Sequence, residues 1–338
     1  MTGISDIAPA TGPRVWRGKE MAERRDWILA FDDADRAEID RATQRAAAQG
    51  LTLDGITRES FPLDRVAEKL AGLPETLGRG RGFVLVRGAP IAGKSVDDLG
   101  LMYWGLGAYL GVGVSQSAEG DRLGHVLDRG TGETERYYTR GGALEFHMDP
   151  ADVVGLLCLR GAVSGGSSRI VSALAVHNAI LEERPDLAAL LHRGFHNSRQ
   201  AHGEGTSPNR VPVFAEGGDG LECYYLPITI RQAVEEGYPL SEREQEAIAF
   251  MEDVAARPAL YLDMDFREGD IQFLNNRTIL HARTDYVDHS DPALRRHLLR
   301  LWLMMPDWPP RAEAMRFHGR VDRTGGGVKP SVPAARTA

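Results

Sequence analysis

Phe146-His147-Met148-Asp149-Pro150 is the segment that most narrowly limits what this chain can become. In an extended strand, residues i and i+2 project to the same face, so His147 and Asp149 can converge on one point. On a helix they would lie about 200° apart and could not share a small ion. The pair therefore supplies two metal ligands only where it enters a strand-rich region. A further histidine, His281, closes an apolar strand-turn-strand run that begins at Asp270, 132 residues beyond Asp149 (281 − 149). Only tertiary folding brings it to the pair. Two imidazoles and one carboxylate form a facial triad, which on non-haem Fe(II) leaves positions open for substrate and oxygen. Zinc accepts the same donors, so the ligand set alone leaves the metal open.

The surrounding texture is strand-rich. Short apolar runs recur between glycine-rich turns: Val153–Leu159, Arg169–Ser172, Val211–Phe214, Glu222–Leu226, Ala259–Leu262, Ile271–Leu274 and Leu298–Leu303. Gly217-Gly-Asp-Gly220 between two of them reads as a hairpin turn. Helices interrupt at Ala175–Glu183 and from the capping box Ser241-Glu-Arg-Glu244 to about residue 256. The pattern predicts a mainly β chain with helical insertions (α+β), built on an antiparallel sandwich or jelly roll. Residues 1–80 read as a helical extension, with helices from Asp33 to Gly50 and over Leu63–Leu73. A β domain follows over 81–306, starting with a buried strand at 82–87 and a helix opened by Ser95-Val-Asp-Asp98. Residues 307–338 read as a flexible tail whose Arg311, Arg316, Arg320 and Arg323 form a solvated face.

Composition narrows the partners. Lys and Arg total 40 against 48 Asp and Glu, a net charge of −8, so no broad basic field grips nucleic acid. Two cysteines, Cys158 and Cys223, make neither a disulfide framework nor a four-thiolate zinc site. No apolar run approaches the roughly 20 residues that span a bilayer, and the first twenty residues carry no signal-peptide core. A cytoplasmic chain without membrane partners is expected.

The strand Arg295-Arg-His-Leu-Leu-Arg300-Leu-Trp-Leu303 puts Arg296 and Arg300 on one face, about 13 Å apart. If that face is inward the arginines need a partner, which a dicarboxylate would provide, because guanidinium grips carboxylate with two parallel bonds; a solvent-facing arginine ladder is the alternative.

With these residues assembled, the chain resembles the taurine dioxygenase superfamily of Fe(II)/2-oxoglutarate-dependent oxygenases, which includes clavaminate synthase-like enzymes. The resemblance runs from Phe83 to Pro306, about two thirds of the chain. It rests on an ordered set: His147-Met-Asp149, Ser164-Gly-Gly-Ser-Ser168, Asn275-Asn-Arg-Thr-Ile-Leu-His281, then Arg296 and Arg300. It implies a double-stranded β-helix fold, with His147, Asp149 and His281 as iron ligands. Arg296 and Ser168 would hold the far carboxylate of 2-oxoglutarate, and Arg300 would face a substrate acid group. It also implies O2 as cosubstrate, release of succinate and CO2, and a tendency to homo-oligomers. Family members that halogenate replace the carboxylate ligand with a small residue. Asp149 therefore points to hydroxylation, or a variant such as desaturation, of a small carboxylate-bearing metabolite. A zinc hydrolase on the same triad and a non-catalytic cupin-like carboxylate binder are the alternatives.

Gln116, in Gly113-Val-Ser-Gln-Ser, and Tyr225, beside Tyr224, are the remaining substrate-contact candidates. His177 reads as a core histidine, and His125, His196 and His202 have no partner spacing that singles them out.

Overall fold

Polar caps and apolar alternation account for most elements of the structure, a computed structural model that describes residues 7–117, 120–128, 142–198 and 205–315. Asp32 accepts the Asp35 amide and Asp35 returns the bond, which opens α2 after the short α1. Ser95 and Ser241 cap α5 and α9 in the same way, the hydroxyl accepting the amide three residues on. The helices are α1 (Gly18–Ala22), α2 (Asp33–Ala48), α3 (Arg65–Leu70), α4 (Leu73–Gly78), α5 (Val96–Gly107), α6 (Ala173–Glu183), α7 (Pro185–Arg193), α8 (Pro227–Glu235) and α9 (Glu242–Ala255). The strands are β1 (Ile28–Ala30), β2 (Phe83–Arg87), β3 (Val112–Gly113), β4 (Leu123–Val126), β5 (Leu144–His147), β6 (Val153–Arg160), β7 (Ser164–Gly165) and β8 (Ser168–Ser172). They continue with β9 (Phe214–Gly217), β10 (Gly220–Cys223), β11 (Tyr261–Met264), β12 (Ile271–Asn275), β13 (Ile279–Arg283), β14 (Tyr286–Val287) and β15 (His297–Met304).

Two sheets form the body. The larger runs β1-β2-β12-β6-β15-β3, with β4 also on β15; the smaller runs β11-β8-β13-β5. Phe83, Leu85, Leu274 and Trp302 of the first meet Ile170, Leu262, Met264 and Ile279 of the second in one core. Helices α2, α3 and α5 cover the outer face of the large sheet over Val84, Val86, Phe273 and Leu301. Helices α6, α7 and α9 cover the outer face of the small sheet over Val171 and Leu280. The result is a jelly-roll sandwich with helical insertions. Strand β15 is buried on both faces, which is why it reads as a continuous apolar run rather than an alternation. Burying a leucine there stabilises by about 1.5–3 kcal/mol. Burying a guanidinium on the same strand or at its start costs several, so Arg300 on β15 and Arg296 just before it do not sit there for stability.

Several expectations are corrected. The helix expected over Leu63–Leu73 is two helices, α3 and α4, parted at Gly72 with Pro74 in the first turn of the second. The strand expected at Val211–Phe214 begins only at Phe214, and Val211 makes an isolated bridge to Phe195. Helices α7 and α8 were not expected, although each starts on a proline, a common first helical residue. The N-terminal segment is not a mere helical extension. Strand β1 pairs parallel with β2, and Trp16 packs edge-on to Phe83 at 5.1 Å inside the inter-sheet core. Nor is the start of the tail loose or solvated. Arg311 is buried and donates to the carbonyls of Ala151 and Asn276, and Ala312 and Met315 are buried beside Tyr224. Arg316, Arg320, Arg323 and His202 lie outside the described residues. Among the described residues no helix is long and apolar enough to cross a membrane.

Candidate active site

The antiparallel pairing of β13 with β5 sets His281 directly opposite His147. Their rings lie 4.2 Å apart, centroid to centroid. Asp149, just past the end of β5, brings its Oδ2 to 3.9 Å from His281 Nε2. All three are buried and offer donor atoms within 4.8 Å of one another. His147 Nδ1 lies 2.8 Å from the Glu145 carbonyl. That contact makes Nδ1 the protonated nitrogen and leaves the Nε2 lone pair for a metal. Burial, with His147 alongside, pushes His281 down to about 3, so its imidazole is neutral. Its Nδ1 is buried with no hydrogen-bond partner. Burial alone would raise Asp149, but the guanidinium of Arg300 and the two imidazoles outweigh it and hold the carboxyl below its ordinary range. A carboxylate and two imidazoles, buried and convergent, are the donor set a divalent iron needs.

A cavity of about 50 Å³ joins this triad to Ser168, Arg283, Arg296, Leu298 and Arg300. Leu298 and Arg300 of β15 therefore share their inward face with Arg296, which the structure places just before the strand rather than in it, despite a register shift between His297 and Leu298. Arg296 is buried, and burial, with Arg283 nearby, brings it down to about 10. Among the described residues its Nη2 reaches the Gly166 carbonyl, at 3.4 Å, and its Nη1 has no hydrogen-bond partner. A buried guanidinium with an idle donor fits the far carboxylate of 2-oxoglutarate. Ser168 Oγ lies 3.0 Å from Gln272 Oε1 on the same wall.

The other candidates divide. Arg300 lines the cavity, but its Nη1 bonds both Asp149 oxygens at 3.2 and 3.3 Å and its Nε bonds Gln116 Oε1 at 2.8 Å. Gln116 does not line the cavity; its amide nitrogen donates to the carbonyls of Arg300 and Arg122. Tyr225 is not brought to the triad either. Its carbonyl accepts the Met148 amide, while its hydroxyl turns away to Glu252 at 2.6 Å. Tyr224 is core. His177 lies in the core with its Nε2 3.0 Å from that of His192. His125 and His196 contact His297 and the Ser207 carbonyl.

Three residues at the site went unnoticed. Trp302 donates to Asp149 Oδ2 at 3.0 Å; its place two residues after Arg300 was the available signal. Asn276 accepts the Asp149 amide at 3.4 Å. Arg283 lies two residues after His281, hence on the same face of β13.

The jelly-roll fold and the convergent His147, Asp149 and His281 are what an iron- and 2-oxoglutarate-dependent oxygenase requires. The chain belongs to the taurine catabolism dioxygenase TauD, TfdA family, whose model matches residues 47–302. FR-33289 synthase of Streptomyces rubellomurinus (strain ATCC 31215) is 32% identical over 305 residues, covering 87% of this chain and 90% of that protein. An asparagine oxygenase solved with Fe(II), 3-hydroxyasparagine and succinate shares the fold at a TM-score of 0.67 and 17% identity, over 82% of this chain and 94% of that one. The non-heme iron oxygenase OrfP, solved with Fe and alpha-ketoglutaric acid, does so at 0.63 and 14%, over 89% and 99%. A dioxygenase family favours iron over the zinc alternative that the ligand set left open.

Proposed function

We propose that His147, Asp149 and His281 hold Fe(II), that Arg296 and Ser168 hold the far carboxylate of 2-oxoglutarate, and that the enzyme hydroxylates a small carboxylate-bearing substrate, an amino acid or close relative. The observation that carries this reading is the idle Nη1 of buried Arg296 in the same cavity as the triad. A zinc hydrolase would have no use for it. When bound, ferrous iron and 2-oxoglutarate supply the oxidising power, with O2 consumed and succinate and CO2 released, so the protein needs no general acid or nucleophile.

The chain's own residues orient and exclude. The Glu145 carbonyl fixes the His147 tautomer, and Trp302 and Arg300 fix the Asp149 carboxylate. Leu144, Leu156, Phe266 and Leu298 keep the pocket dry. Arg300 is the cation nearest the triad and the one we assign to the substrate acid group. Structures sharing this fold hold hydroxyasparagine and hydroxy-L-Arg, which supports an amino-acid substrate. Both cysteines are free and buried, which fits work in a reducing cytoplasm.

The test is succinate release with Fe(II), 2-oxoglutarate and O2 across a panel of amino acids and small acids. A subset of substrates should accelerate it. Full activity retained by His147→Ala or His281→Ala would overturn the ligand assignment.

A further inference from the structure

The cavity holds three guanidiniums, and only two of them have been given work. Arg283 is 7% exposed and faces inward from β13. In the ladder between β13 and β8 it sits directly opposite Ser168, where facing side chains start about 5 Å apart. It also shares an aromatic platform with Arg296. The Tyr286 ring lies 4.9 Å from the Arg283 guanidinium and 5.4 Å from that of Arg296. Arg283, Arg296 and Ser168 thus cluster at one end of the cavity, while Asp149, the cavity's one carboxylate among the described residues, lies at the other end against Arg300. Two like charges packed together out of water repel each other, and each is costly to bury. An anion placed between them offsets both terms.

We propose that Arg283 is a second cation for the far carboxylate of 2-oxoglutarate, acting beside Arg296; the assignment rests on the oxygenase reading above. Its guanidinium donates to the Gly142 carbonyl from Nε at 3.2 Å and Nη2 at 2.8 Å, which holds it at the cavity wall. Arg283 also borders an open cleft of about 570 Å³ formed with Leu144, Glu145 and Arg169. The competing assignment is therefore a contact with the primary substrate from that side.

Two ligands separate the cases: 2-oxoglutarate, and 2-oxopentanoate, which has the same carbon chain and keto acid but no far carboxylate. Binding of each to Mn(II)-loaded wild type, Arg283→Met and Arg283→Lys is measured by titration calorimetry, with no turnover involved. Loss of one charged hydrogen bond should weaken 2-oxoglutarate binding to Arg283→Met by about ten- to a hundredfold. Binding of 2-oxopentanoate should stay as in wild type. Arg283→Lys, which keeps the charge and spares the fold, should recover part of the loss. Unchanged 2-oxoglutarate binding in both variants would overturn the proposal in favour of the substrate side. Equal weakening of both ligands would overturn it in favour of a structural role. A wild type that does not prefer 2-oxoglutarate to 2-oxopentanoate would instead sink the oxygenase reading itself, and this proposal with it.

Discussion

Arg300 and Asp149 neutralise each other across the two sheets: Nη1 of the arginine stands 3.2 Å and 3.3 Å from the two oxygens of a carboxylate that is also one of the three candidate metal ligands. Guanidinium and divalent cation are alternative counter-charges for one carboxylate. In Arg300→Leu the metal-free protein keeps a buried, uncompensated carboxylate, a loss of about 3 kcal/mol. Added Mn(II) should then raise the melting temperature of Arg300→Leu by more than it raises that of wild type. An equal increment in both proteins would show that the pair does not govern the site.

Arg296 separates stability from function. Its Nη1 has no hydrogen-bond partner among the described residues, and the Gly166 carbonyl and the Tyr286 ring offset its burial only in part, so Arg296→Met removes a costly buried charge. The variant should unfold at the same temperature as wild type or higher. Its requirement for 2-oxoglutarate should rise by about two orders of magnitude, the worth of one to two charged hydrogen bonds. A stability loss with an unchanged requirement would reverse the assignment.

Arg277 links Asp152, through Nε and Nη2 at 3.0 and 2.8 Å, to Glu222, through Nη1 at 3.1 Å. All three are buried. Arg277→Ala takes the bridging cation from both carboxylates, leaving only Arg311 at 3.7 Å from Asp152, and should cost about 3 kcal/mol in thermal or denaturant unfolding. Arg277→Lys should restore little, because an ammonium cannot reproduce the planar fork.

The Tyr103 hydroxyl is buried without a partner, and burial pushes it well above the ordinary phenol range. It stands where a side chain on Gly155 would go. Tyr103→Phe removes an unsatisfied polar atom and should leave stability unchanged or raise it by about 1 kcal/mol. Gly155→Ala should destabilise by about 1–3 kcal/mol through overpacking. Calorimetric unfolding of the two variants checks both signs.

Acid should weaken the fold through the histidine pair of α6 and α7. Burial, with His177 alongside, holds His192 down to about 4, and burial lowers His177 as well. An unfolded histidine titrates near 6.5. The unfolded chain therefore takes up protons first, and stability that is complete above pH 6.5 falls as the pH drops toward 4. At pH 5 the loss is about 1–2 kcal/mol for His192. His192→Gln should flatten the decline in melting temperature between pH 7.5 and pH 5. It should not abolish it, because His297 is also held down to about 4.

What the sequence disclosed was local or periodic. The His147/Asp149 spacing, the Ser95 and Ser241 caps, the glycine hairpin and the arginine spacing on β15 each depend on a few neighbouring residues. What stayed hidden was non-local. The spacing of Arg300 places it on the cavity face, as the structure does, but spacing says nothing of Asp149, which pairs with it from the opposite sheet. Tyr225 was misplaced because its backbone, not its ring, approaches Met148. Arg311 looked solvated because the groups that bury it, around Ala151, Asn276 and Asp152, lie more than thirty residues away in the chain.

The face-to-face setting of His147 and His281 has a consequence for how the chain matures. Slipping β5 by one position along β13 would swing His147 toward the helix-covered side, and the cation would lose a ligand. If the triad holds an ion as proposed, that ion would be retained only by molecules in which these two strands, distant in the chain, have met in the native frame.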